Sequence, residues 1–183
     1  IGRQDQYAAA FGGANSISFG PDGVLVEPVG LSDQTIDAIR NEFTLVYTGL
    51  TRSASRVLDE ASDDSDDKLA RLRAIRTQAD GARTMLESGE LTALGALLNE
   101  AWLNKRGISP SVSNTEIDSL YDRIMGLGAS GAKLLGAGAG GFFLVHGHAS
   151  LRDRLTQELG PAIGLLPLGI DFDGSTIIHG GGS

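Results

Sequence analysis

Between positions 128 and 141 the chain reads GASGAKLLGAGAGG, and no other stretch limits its fold so sharply. Glycine inside a helix or strand costs roughly 0.5–1 kcal/mol relative to alanine, so a segment this rich in it reads as a turn between ordered elements. It is either a flexible or tight connection or a wall that something approaches closely. Gly136, Gly138 and Gly141 satisfy G-x-G-x-x-G, but the dinucleotide fingerprint needs a strand before the glycines and a helix after them. Here the order is reversed. Ile117, Leu120, Tyr121, Ile124 and Met125 repeat at helical intervals upstream, and Phe142 to His146 form an apolar strand downstream. A Walker loop is excluded as well, because Lys133 is followed by Leu134, with no Ser or Thr for magnesium.

The rest of the chain alternates strand and helix signals. Ser16 to Phe19 and Val24 to Val29 are β-prone runs around Pro21, Asp22 and Gly23, which predicts a hairpin. Ser32 can cap a short helix carrying Ile36 and Ile39, and Phe43 to Thr48 reads as a buried strand. Three helical patterns follow: one with Val57 and Leu58, one from Leu69 to Leu86, and one with Leu91, Leu94, Leu98 and Trp102. Ser113 and Glu116 have capping-box spacing ahead of the Ile117 helix, which Gly126 and Gly128 can end. Ser150 opens a last helix with Leu151, Leu155 and Leu159, stopped by Gly160 and Pro161. Two final runs, Ile163 to Phe172 and Ser175 to Ile178, flank Asp173 and Gly174, a two-residue hairpin signal. Mixed order of this kind predicts an α+β fold.

Bulk properties remove several function classes. The 183 residues suffice for one domain, or one domain plus part of another. A formal charge of -8 opposes binding to phosphate backbones, so no nucleic-acid partner is expected. The absence of cysteine excludes disulfides, thiolate metal sites and a cysteine nucleophile; it fits a reducing compartment, and a cytoplasmic location is expected. Apolar runs are far shorter than the roughly 20 residues that span a bilayer, so no membrane partner is expected. The chain opens at Ile1 directly into a dense motif and reads as a cut piece; Gly180 to Ser183 are assigned no function.

Chemistry concentrates in a few places. In IGRQDQYAAAFGG, Asp5 stands between Gln4 and Gln6 ahead of a helix-prone stretch, where it can cap the helix or serve as a carboxylate base. Arg52, directly after a predicted strand in TGLTRSAS, can fork onto a substrate phosphate or form a surface salt bridge. Lys105 and Arg106 fall at a helix end, where basic residues complement the dipole. Asp63, Asp64, Asp66 and Asp67 read as a solvated loop. Asp171, Asp173 and Ser175 begin like a calcium loop, but Gly174 comes two places too early, and a hairpin explains them better. His146, His148 and His179 lack metal-ligand spacing, and Trp102 with its leucine stripe reads as core.

Taken together, these segments carry a resemblance. GRQDQYAAAFGG resembles the G-x-x-D-Q motif of the galactokinase, homoserine kinase, mevalonate kinase and phosphomevalonate kinase (GHMP) superfamily. KLLGAGAGG resembles that superfamily's third motif, usually KLLGAGGGG, with Ala139 where glycine is common. FTLVYTGLTRSAS and VSNTEIDSLYDRIMGLGASGAK are similar to its heptose-phosphate kinases, so the likeness runs through nearly the whole chain in the family's order. It implies a GHMP C-terminal domain, a ferredoxin-like α/β sandwich with extra helices, over residues 31–183, preceded at 1–30 by a remnant of the N-terminal domain. It implies ATP- and Mg2+-dependent phosphorylation of a sugar hydroxyl, the anomeric hydroxyl of D-glycero-D-manno-heptose 7-phosphate.

Carried over to matching positions, Asp5 becomes the catalytic base. Gly2, Gln6, Arg52, Gly138, Ala139 and Gly140 become substrate contacts, Gly136, Gly138 and Gly141 the phosphate-side loop, and no metal ligand is assigned. The family's ATP loop, P-x-x-x-G-L-[GS]-S-S-A-A at a helix start, is absent, so an N-terminal half of the same protein is the expected partner and the piece alone is expected to be inactive. A homodimer is open, as are two other readings: a noncatalytic ligand- or partner-binding module with the same fold, and a kinase for an unphosphorylated sugar.

Overall fold

The computed structural model describes residues 3–51, 65–161 and 163–176. Gly2, Arg52, the predicted helix with Val57 and Leu58, Asp63, Asp64, Ile177, Ile178, His179 and the closing 180–183 lie outside them.

Helix α1 (Arg3–Phe11) leads into a hairpin of β1 (Asn15–Gly20) and β2 (Gly23–Pro28), in which Gly20 faces Gly23 and Pro21-Asp22 form the turn. Helix α2 (Asp33–Glu42) starts as expected, with the Ser32 hydroxyl accepting from the Thr35 amide. Strand β3 (Phe43–Tyr47) follows, then α3 (Asp66–Ser88), α4 (Leu91–Arg106), a 3-10 turn at Pro110–Val112, and α5 (Thr115–Gly126). The chain continues through β4 (Gly131–Leu134), β5 (Phe142–His146), α6 (Leu151–Leu159) and β6 (Leu165–Pro167). The larger sheet has the order β4-β5-β3-β6, each neighbouring pair antiparallel. Helices fill the connections from its first to second and third to fourth strands, which is the ferredoxin-like split βαβ arrangement with extra helices.

Alternation along the strands sends side chains to two layers. Val46, Phe143 and Val145 join Trp102, Ile117, Ile124 and Leu155 in the main core, while Phe43 and Leu144 pack with Ile39, Leu91 and Leu94. Trp102 is wholly buried, as its leucine stripe implied. Each large apolar side chain taken fully from water contributes about 1.5–3 kcal/mol, so these layers hold the sheet that carries the glycine loop.

Several expectations change. The cap of α5 is Asn114, whose Oδ1 accepts from the amides of Glu116 and Ile117; the Ser113 hydroxyl instead donates to Asp118 Oδ1 at 2.6 Å. Asp66 and Asp67 belong to the first turn of α3 behind the Ser65 cap, and Asp67 pairs with Arg71. Part of the glycine-rich segment is strand β4, because Ala132 and Leu134 find buried sites in the main core. Only glycine fits at 131, where a Cβ would overlap the Gly95 carbonyl of α4. The predicted C-terminal hairpin is not formed among the described residues. Strand β6 spans only Leu165–Pro167, and the next turn, with the Asp173 amide donating to Asp171 Oδ1, runs to the end of α1. There the Gly13 amide bonds the Asp171 carbonyl and the Ser175 amide bonds the Ala10 carbonyl; of the predicted second run, Ile177 and Ile178 lie outside the described residues.

Candidate active site

The turn from β4 to β5, Leu135 to Gly141, is held out in the left-handed region, with positive φ at Gly136, Gly138, Ala139 and Gly141. Its far half is locked by backbone. The Ala139 amide donates to the Val112 carbonyl at 2.8 Å, and the Gly141 amide to the Leu50 carbonyl at 3.0 Å. A Cβ at Gly138 would stand 2.7 Å from the Val112 oxygen, and one at Gly140 would stand 2.6 Å from the Leu50 oxygen. Glycine at 138 and 140 is thus dictated by the protein's own close packing, whereas Gly136 and Gly141 border open space. Ala139 carries φ 61 in a buried position, where a side chain is strained but its methyl group is covered.

The loop lines a cavity of about 360 Å3 with Leu50, Thr51 and Phe142. Among the described residues, the amides of Gly136, Ala137, Gly138 and Gly140 have no backbone acceptor. Amide groups left free in a loop with left-handed turns suit an oxyanion.

Two lysines border this loop. Lys105, in the last turn of α4, donates from Nζ to the carbonyls of Leu134 (3.2 Å) and Gly136 (2.5 Å). Burial pushes its ammonium down to about 8, the Lys133 charge pushes the same way, and the Asp5 charge opposes them. Burial also lowers Lys133, on β4. Lys105 Nζ thus joins α4 to the end of β4 and to the start of the loop. Asp5 lies in the first turn of α1 and is exposed, as is Gln6; Asp5 is inside the helix rather than its cap.

The residue set aside on sequence grounds is therefore Lys105. Its one legible signal was position: Trp102 stands three residues before it, so the two share a helix face toward the sheet. Arg106 turns elsewhere, pairing with Asp118 at 3.1 Å and lying over the rings of Trp102 and Tyr121. His146 is buried and meets Glu42, and His148 meets Ser150. Among the described residues no group of three or more His, Asp or Glu can hold a metal ion. The amides without a backbone acceptor, together with Lys105 and Lys133, suit the phosphates of ATP. No described helix is long and apolar enough to cross a membrane.

Comparison with known proteins places this arrangement. Residues 82–162 match the family model "GHMP kinases C terminal". The chain is 33% identical over 144 residues to the D-glycero-alpha-D-manno-heptose 7-phosphate kinase of Campylobacter jejuni, covering 77% of this chain and 42% of that protein. A D-glycero-D-manno-heptose 1-phosphate kinase from Bacteriodes thetaiotaomicron shares the fold with a TM-score of 0.67 at 23% identity, over 95% of this chain and 47% of that one. The mevalonate kinase of L. major, solved with R-mevalonate, gives 0.68 at 23% identity, over 90% of this chain and 52% of that one. The chain thus spans about half the length of the relatives it matches. With its split βαβ sheet and the match over residues 82–162, this chain carries a GHMP kinase C-terminal domain.

Proposed function

We propose that the protein containing this chain transfers the terminal phosphoryl group of ATP to a sugar-phosphate hydroxyl, the anomeric hydroxyl of D-glycero-D-manno-heptose 7-phosphate. The reading is carried by the glycine loop, whose amides lack backbone acceptors among the described residues and whose entrance holds the Lys105 ammonium, with Asp5 exposed on α1. Identity to the heptose 7-phosphate kinase of Campylobacter jejuni supports the choice of sugar.

In this reading Asp5 accepts the hydroxyl proton as the oxygen attacks phosphorus. Phosphoryl transfer asks mainly for positioning and charge neutralisation, which the loop amides and Lys105 supply on the protein side. Mg2+ bound with ATP would add charge neutralisation there. Gly2, Gln6, Gly138 and Gly140 contact the sugar, Ala139, being buried, supports the loop instead, and Arg52, outside the described residues, holds its 7-phosphate. Residues 1–30 form the tail of a neighbouring domain and 31–183 the C-terminal domain. The 183 residues hold no P-x-x-x-G-L-[GS]-S-S-A-A segment, so alone they are expected to transfer no phosphate.

The test is a substrate panel with the full-length protein, ATP and Mg2+, comparing heptose 7-phosphate, the unphosphorylated heptose, galactose and mevalonate. Transfer to the anomeric oxygen of heptose 7-phosphate, read by phosphorus NMR, is expected. Preference for an unphosphorylated sugar would replace the substrate; transfer to none of them would favour a noncatalytic binding module.

A further inference from the structure

We infer that Lys105 is a positioning residue of this site, its ammonium group fixing the entrance of the glycine loop and setting a positive charge there. This rests on the phosphoryl-transfer reading given above.

The loop has two halves with different supports. Gly138, Ala139, Gly140 and Gly141 are held by the carbonyls of Val112 and Leu50 and by tight backbone packing. Gly136 has none of this. A Cβ there would meet nothing within 4 Å, its amide has no backbone acceptor among the described residues, and its φ is 68. The bond from Lys105 Nζ to its carbonyl ties it down, and the same Nζ reaches back to Leu134, the last residue of β4. One ammonium group thus spans the point where the strand becomes the loop.

Its setting also differs from that of a structural lysine. Desolvated ammonium groups are ordinarily compensated by a paired carboxylate. Among the described residues Lys105 forms no ion pair; the charges acting on it are Asp5 from α1, which stabilises the ammonium, and Lys133 from β4, which opposes it. An ammonium has three donors, and two are spent on carbonyls, so one is left for an incoming anion. A phosphoryl oxygen carried past Asp5 is such an anion.

The pH consequence has a definite sign. With its value lowered to about 8, Lys105 is charged below that pH and loses its charge as pH rises through it, so turnover falls on the alkaline side. In the full-length protein, Lys105→Met keeps the stem but removes the charge, and is expected to lower kcat roughly 10²-fold or more, the scale of losing one preorganised donor, with a smaller change in sugar KM. Lys105→Arg keeps a charge that does not titrate in this range; it is expected to restore much of kcat and to move the alkaline limb out of range. Alongside these assays, the pH dependence of Lys105 modification by an amine-directed reagent, with and without a nonhydrolysable ATP analogue, reads the ammonium without turnover. A midpoint near 8 with protection by the analogue supports the inference. Normal kcat in Lys105→Met, an alkaline limb unchanged in Lys105→Arg, or modification with an ordinary lysine midpoint would overturn it. If the unmodified protein phosphorylates no substrate, the proposed activity falls, while the modification midpoint still decides the state of Lys105.

Discussion

A Cβ on Gly12 would stand 2.5 Å from the backbone nitrogen of Gly174, so the end of α1 and the segment after β6 meet backbone against backbone. Ser175 adds bonds from its amide to Ala10 and from its hydroxyl to Ala9. Helix α1 has no buried residue of its own, and these contacts help fix the helix that carries Asp5.

Enlarging that contact should therefore damage catalysis more than folding. In the full-length protein, Gly174→Val is expected to lower turnover about tenfold or more, since misplacing a reacting group by an ångström can cost 10²-fold. The main core does not involve this contact, so the melting temperature should drop by only a few degrees. Turnover and a thermal melt on the same preparation separate the two effects.

The loop glycines should sort by what lies over them. Gly138→Ala meets the Val112 carbonyl at 2.7 Å with φ 123 and should displace the loop, with loss of activity. Gly136→Ala faces open space at φ 68 and should cost only the left-handed penalty, about 1–2 kcal/mol. At Ala139 opposing effects nearly cancel. A glycine there relieves a similar penalty but forfeits a buried methyl group worth about 0.8 kcal/mol and makes the unfolded chain freer by about 0.4–1 kcal/mol. Denaturant melts should show Ala139→Gly near neutral and Gly138→Ala clearly destabilised.

Much of this fold was legible because its signals were local. Ser32 capping α2, the Pro21-Asp22 turn and the Phe142–His146 strand follow from side chains acting on their own neighbours. What escaped depended on partners distant in sequence. β4 hides among glycines because position 131 must clear Gly95, and after the Asp173-Gly174 turn the Ser175 amide goes to α1. Ser113 looked like a cap until Asp118 took its hydroxyl and left the role to Asn114. Asp5 and the loop stood out as candidates by their residue pattern and by family likeness, whereas Lys105 read only as a complement to the helix dipole because its carbonyl partners, Leu134 and Gly136, lie about thirty residues away.

The wholly buried Trp102 joins α4 to Tyr121 and Phe143, with the Phe143 ring edge-on at 5.7 Å. Trp102→Ala should destabilise by about 3–5 kcal/mol, the usual cost of emptying a site of that size. Chemical denaturation of the variant checks it, and a loss below about 1 kcal/mol would mean the site collapses freely or is not core.

The most direct test of the central claim is the turnover of full-length Asp5→Asn with ATP, Mg2+ and heptose 7-phosphate. Asp5 is exposed, so folding should be unchanged, and loss of a general base should lower kcat by about 10² to 10⁴. A variant that folds and turns over at the normal rate would contradict the account.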